Sequence, residues 1–200
     1  MLVYELIVFL GLYLMEIRRI WNMPNKWTFK IKPIRELLRK YVEPDKIWLD
    51  PFAGKYSPAS ITNDLNPEMN TDYHIDARKF LDIFDDQYAD GIIHDPPYSP
   101  YQVKRVYDGI GLKTTLNETR TVFWSQTRDA ISRVIKEDGI VISCGWNSNG
   151  IGKTRGFEII EILLVPHGGI HNDTIVTVEK KVKIIEKEKI IDIFGEDEWK

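Results

Sequence analysis

The chain reads as an α/β protein: a seven-stranded, mostly parallel sheet with helices on both faces and a closing antiparallel hairpin. Three observations predict this. From Lys46 onward, short apolar runs rich in β-branched residues alternate with segments whose apolar residues recur at helical spacing. Seven such runs are present, the first five each ending in or beside a polar residue or a turn. Between the last two lies only the glycine-rich turn HGGIHND, residues 167–173, which predicts an antiparallel pair at the sheet edge.

Each element has a local reason. Residues 1–14, MLVYELIVFLGLYL, are apolar but interrupted by Glu5. They are short for a membrane span, and the basic pair Arg18–Arg19 follows them, where a signal peptide needs its charge first. They are read as an N-terminal extension from an upstream start, with a helix or strand packed on the body as the alternative. The domain is assigned to 15–180, and the Lys/Glu/Ile-rich tail 181–200 to a solvated terminus. IKPIRELLRKYV places Ile34, Leu37, Leu38 and Tyr41 on one helical face, with Pro33 suited to the first turn. The strands follow as KIWLD, ASITND, DYHID, DGIIHD, DGIVISCGW, FEIIEILLVP and DTIVTVEKKV. DARKFLDIF offers Ala77, Phe80, Leu81 and Phe84 at helical spacing. TRTVFWSQTRDAISRVIKEDG presents Phe123, Thr127, Ala130, Ile131, Val134 and Ile135 on one face and is expected to stop at Gly139.

Two hundred residues, 43% hydrophobic and 28% charged, suit one domain with a sizeable core. The single Cys144 excludes an internal disulfide and a cysteine zinc cage, and fits a reducing, cytoplasmic setting. A net charge of −3 argues against coating nucleic acid nonspecifically, although residues 16–40 and 101–136 lean basic while 64–95 is rich in aspartate.

Four successive strand candidates end in acids, at Asp50, Asp64, Asp76 and Asp95. In an open α/β sheet, ligands bind at the carboxyl ends of the strands, so these acids form a polar rim there. Asp50-Pro51-Phe52-Ala53-Gly54 is a small-residue turn where an adenosine-containing cofactor would lie, but G-x-G-x-x-G is missing, which favours a ligand without phosphates. Asp64 is placed to accept from ribose hydroxyls and Asp76 to reach an adenine amine; each acid alone is more often a helix cap. GIGKT, residues 150–154, lacks the upstream glycine of a phosphate-binding loop, Asn147 standing in its place. His167, His171 and Asp173 have metal-like spacing but read as a structural turn, so no metal is expected. In GIIHDPPYSP, the strand must stop at Asp95, because Pro96 and Pro97 cannot continue a ladder; a rigid elbow then presents Asp95 and Tyr98.

With DPFAG, NDLNPEMNTDYHIDA, DPPYSP and GWNS in this order after WNMPNKWTFKIKPIREL, the chain resembles the S-adenosylmethionine-dependent amino-methyltransferases. Within them it is similar to the DNA adenine-N6 methyltransferases, in particular small phage and prophage adenine methylases. The resemblance runs from Trp21 to Lys180 and departs from the family's fuller glycine motif at DPFAG. It implies a Rossmann-like methyltransferase fold, S-adenosylmethionine as cofactor and DNA as partner; the short N-terminal apolar run gives no expectation of a membrane partner. It also implies that Pro24, Asn25, Thr28 and Phe29 form the cofactor-binding motif preceding the sheet. Asp50, Phe52 and Gly54 would line the methionine side, Asp64 would hold the ribose and Asp76 the adenine.

The resemblance further implies that Asp95 and the Pro96 carbonyl accept the two hydrogens of an exocyclic amine, with Pro97 stiffening the turn and Tyr98 stacking on a flipped base. Proline fixes φ and lacks a competing N–H, which suits that task. RNA adenine and cytosine N4 are the alternative acceptors. Residues 99–120 read as the loop nearest the target, where Lys104, Arg105, Lys113 and Arg120 are placed to meet phosphate, with a charged solvent-facing loop as the alternative. So short a segment implies a recognition site of only a few bases.

Overall fold

The computed structural model describes residues 15–111 and 121–182. Its sheet runs β1-β6-β7-β5-β4-β2-β3, from β1 (Glu16–Arg19), β2 (Trp48–Asp50), β3 (Ile61–Thr62), β4 (Ala89–His94), β5 (Ile135–Gly145), β6 (Phe157–Val165) and β7 (Thr174–Lys181). All pairings are parallel except those of β7, which runs antiparallel to both β5 and β6. The helices are α1 (Lys32–Tyr41), α2 (Ala77–Leu81), α3 (Pro100–Gly109) and α4 (Thr121–Val134).

The strand count agrees with expectation, but the membership differs. DYHID contributes only an isolated bridge, Asn63 to Tyr73. Asp72 explains why: its Oδ2 accepts from Thr62 N and Thr62 Oγ1, both at 2.8 Å, so a side chain replaces the ladder there. The seventh strand is β1, parallel to β6. It is anchored by the fully buried Glu161, which accepts from Arg18 Nε at 2.8 Å, Lys40 Nζ at 2.6 Å and Tyr41 OH at 2.7 Å. Burial opposes the Glu161 charge, but the bonds from Lys40, Tyr41 and Arg18 outweigh it and hold the carboxyl below its usual range. The closing hairpin is present but not at the edge, because β7 inserts between β5 and β6 and β1 covers the far side of β6.

Alternation along the strands makes two cores. Ile34, Leu37 and Leu38 of α1 pack with Trp48, Ile93, Ile142 and Val176 on one face. Phe80 and Leu81 of α2, with Ile131 and Val134 of α4, pack on Leu49, Ile92 and Val141 on the other. Gly91 is required beside Trp48, since a Cβ there would lie 2.5 Å from the indole. Helix α4 ends at Val134, five residues before the expected Gly139; the left-handed residue that follows is Asp138, φ 62°. Cys144 is buried, and burial pushes its thiol well above the usual range. Residues 1–14 and 183–200, covering the assigned extension and nearly all of the tail, lie outside the described residues.

Candidate active site

A cleft of about 980 Å³ opens at the carboxyl ends of the parallel strands. Of the expected residues, Pro24, Asn25, Thr28, Phe52, Asp64, Asp76, Asp95, Pro96, Pro97, Tyr98 and Arg105 line it. Phe29 does not; it is buried in the core beneath α1. Neither Asp50 nor Gly54 reaches the cleft wall.

Asp50 is fully buried and holds the turn after β2, with Oδ1 accepting from Phe52 N at 2.9 Å and Oδ2 from Ser57 Oγ at 2.6 Å. Burial pushes its carboxyl up to about 8, with Ser57 and Phe52 opposing and the neighbouring Asp95 and Asp64 adding to the rise. Gly54 sits at φ 55° and donates its N–H to Asp64 Oδ2 at 2.9 Å. Asp64 Oδ1 accepts from Asn66 N at 2.8 Å. Each oxygen of this carboxylate therefore retains acceptor capacity for a ligand. Asp76 caps α2, Oδ1 accepting from Arg78 N at 3.0 Å and Lys79 N at 3.3 Å.

Asn63 was not singled out in the sequence, yet it ties these turns together. Its amide is buried, donates to Pro51 O and Ile75 O at 3.0 Å each, and accepts from Ile75 N at 3.0 Å. A polar residue flanked by Thr62 and Asp64 at a strand end carries no signal that separates it from an ordinary turn residue.

The DPPY segment follows β4. Asp95 is half-buried and accepts from Tyr98 OH. Burial raises its carboxyl above the usual range, opposed by the side-chain bonds from Tyr98 and Thr28. Burial, then the Asp95 charge, pushes the Tyr98 phenol well above its usual range. The Tyr98 ring meets Trp146 edge-on, with centroids 5.7 Å apart. The elbow is braced on both sides: Tyr98 N donates to Gln102 Oε1 at 2.5 Å, and Trp124 Nε1 donates to Pro97 O at 3.3 Å. His94 is buried against Phe52, and burial, aided by the Arg128 charge, depresses it to about 3, so it is neutral.

The segment read as a loop from 99 to 120 begins as a helix. Ser99 caps α3, its Oγ accepting from Gln102 N at 3.3 Å, and Pro100 occupies the first turn. Lys104 and Arg105 are exposed on it, and only Arg105 lines the cleft; Lys113 and Arg120 lie outside the described residues.

The two motifs set aside in the sequence have internal partners. Ile151 N and Gly152 N, in the GIGKT stretch, donate to the buried Glu179 at 2.6 and 3.0 Å. His167 Nδ1–H donates to Asn22 O at 2.8 Å and its Nε2 meets Thr174 Oγ1 at 2.9 Å, pinning the N-terminal segment to the β6–β7 turn. Among the described residues, no group of three His, Cys, Asp or Glu is placed to hold a metal, and no helix is long and apolar enough to cross a membrane.

Comparison of the structure with solved proteins places the fold. TrmN from Thermus thermophilus superposes with a TM-score of 0.50 at 18% identity, over 76% of this chain and 49% of that one. The Burkholderia thailandensis 1,6-didemethyltoxoflavin-N1-methyltransferase, solved with bound 1,6-didemethyltoxoflavin and S-adenosylhomocysteine, gives 0.51 at 12% identity, over 76% and 78%. The chain has the Rossmann-like methyltransferase fold. It spans about half the length of TrmN. No family model matches the sequence, and no curated protein matches it.

Proposed function

We propose that the protein transfers a methyl group from S-adenosylmethionine to the exocyclic N6 amine of adenine in DNA. One observation carries the reading: an acid–proline–proline–tyrosine elbow opens into the same cleft as two further acids, Asp64 after β3 and Asp76 at the start of α2. The fold is that of proteins that include an S-adenosylhomocysteine complex, which supports the cofactor class.

The cleft suits that cofactor. Asp64 and Asp95 lend it a negative character matched to a sulfonium, Asp64 keeps acceptor capacity for ribose hydroxyls, and Ile75, Ala77 and Met69 supply apolar walls for a purine. When bound, S-adenosylmethionine supplies a methyl group on a positively charged sulfur that departs as a neutral thioether.

The chain's own task is to prepare the amine. The adenine nitrogen lone pair is delocalised into the ring, so it is a poor nucleophile until its hydrogens are held by fixed acceptors. Asp95 is one, oriented by Tyr98 and Thr28; the Pro96 carbonyl, on a backbone with fixed φ, is the other. Positioning and electrostatics carry most of the acceleration. The proton shed by the alkylated nitrogen passes to the Asp95 carboxylate, whose raised pKa suits brief acceptance. Tyr98 and Trp146 offer ring faces and edges to the extruded base, a stacking contribution of about 1–3 kcal/mol.

Tritiated methyl transfer to matched DNA and RNA oligonucleotides, with the modified base identified by mass, tests this. N6-methyladenine in DNA is the expected product. Incorporation only into RNA, or only into cytosine, would overturn the acceptor assignment. With α3 the only element described between the elbow and residue 111, the expected recognition site is a few bases long.

A further inference from the structure

We propose that an exposed patch of lysines and rings beside the cleft, Lys26, Trp27, Lys30, Lys55 and Tyr56, grips the phosphodiester backbone of duplex DNA. It rests on the reading of the chain as a DNA methyltransferase. Two segments build it: the stretch preceding α1 and the turn after β2. Trp27 and Tyr56 meet edge-on, with centroids 5.9 Å apart at 74°. Lys26 Nζ lies 4.9 Å from the Trp27 ring centroid, and Lys30 Nζ and Lys55 Nζ lie 4.8 and 5.8 Å from that of Tyr56. Ring faces hold ammonium groups in place without neutralising them.

No carboxylate among the described residues forms an ion pair with these charges. The ion pairs among the described residues include none of the three lysines. The acids bordering the turn direct their oxygens to other groups, Asp50 to Phe52 N and Ser57 Oγ and Asp64 to Gly54 N and Asn66 N, and neither makes an ion pair with a patch lysine. Three unpaired cations held together on two rings call for an anionic partner. Their spread over both rings suits successive phosphates better than one carboxylate, and Lys26 and Trp27 form part of the cleft wall, so a bound backbone would pass the site entrance. Lysine contacts phosphate as a point charge and carries no sequence information. The patch therefore supplies affinity, and the base pocket supplies selectivity.

The salt dependence of duplex binding tests this. Fluorescence anisotropy of labelled duplexes is measured from about 50 to 200 mM salt for the wild type and for K26Q/K30Q/K55Q. Each phosphate contact contributes about 0.9 to the slope of log K against log salt, so the triple variant is expected to lose about 2–3 from it. The loss should be equal on duplexes of unrelated sequence. The pair K30Q/K55Q, outside the cleft wall, should leave S-adenosylmethionine affinity unchanged by calorimetry. An unchanged slope in a variant whose wild-type parent methylates DNA sinks the patch alone. Lost cofactor affinity with an unchanged slope would reassign the lysines to the cofactor carboxylate, and a reduced slope on structured RNA but not on DNA would reassign the partner; either overturns the proposal. A wild type that neither binds nor methylates DNA sinks the functional reading and the patch with it.

Discussion

Replacing Asp95 with Asn separates chemistry from binding. The substitution keeps the side-chain volume and one carbonyl oxygen, so Tyr98 OH or Thr28 still finds an acceptor and the elbow, braced independently by Gln102 and Trp124, should persist. What is removed is the charge and the acceptor offered to the amine. Loss of one positioned polar group from a transition state costs about 2.7–4 kcal/mol, or about 100–1000-fold in rate. Methyl transfer to DNA should fall by that factor, while S-adenosylmethionine affinity by calorimetry stays at the wild-type value. Tyr98→Phe supplies the companion measurement. The Tyr98 bond lowers the Asp95 pKa against the rise caused by burial, so removing the hydroxyl should raise it further. Transfer needs the carboxylate, so the acid limb of its pH profile should move to higher pH. Full transfer by Asp95→Asn would reduce the DPPY segment to a strand terminus, and an unmoved limb in Tyr98→Phe would show that the phenol does not act on Asp95.

Three further outcomes are expected. Asp64→Ala removes the acceptor assigned to the ribose, and calorimetry should show S-adenosylmethionine binding weakened by about 1.5–3 kcal/mol on any nucleic acid substrate. Asp50, raised to about 8, binds its proton more tightly folded than unfolded, so the stability it contributes is present in acid and lost as pH rises through about 8. The melting temperature should therefore fall from pH 5 toward pH 8 more steeply in the wild type than in Asp50→Asn, by the equivalent of roughly a few kcal/mol; parallel curves would show that Asp50 ionises freely. Glu161→Gln should lower the melting temperature by several degrees, because Arg18 and Lys40 lose their shared carboxylate. Both cations remain part-exposed, so the loss is nearer 1–3 kcal/mol than the 3–5 of an enclosed pair.

What the sequence disclosed follows from what local patterning can carry. Helix α1 and the apolar face of α4 were legible because their buried residues recur at helical spacing, and Asp50 and Asp95 were legible because each ends or directly follows a short apolar strand, Trp48–Asp50 and Ala89–His94. Strand β1 was not: EIRR is mostly exposed and has no alternation of its own, and it is a strand because β6 offers an open edge and Glu161 draws Arg18 across it. The place of β7 between β5 and β6 is likewise a property of the assembled sheet, which no single segment encodes. Helix α3 did leave a trace, Ser99 as cap and Pro100 in the first turn, but it buries only Val103, so its apolar pattern was too thin to find.

The same distinction divides the site. Adjacency to a strand end indicates that an acid lies near the cleft, whereas its bonding decides whether it faces a ligand. Asp50 turns inward to hold Phe52 and Ser57, while Asp64, joined to the same loop through Gly54, stands in the wall. Both sit at the carboxyl ends of neighbouring strands and follow similar apolar runs. The difference lies in the backbone N–H and hydroxyl groups that each turn brings within reach. An acid at a strand end is therefore a candidate ligand group only to the extent that its own turn leaves it an oxygen to offer.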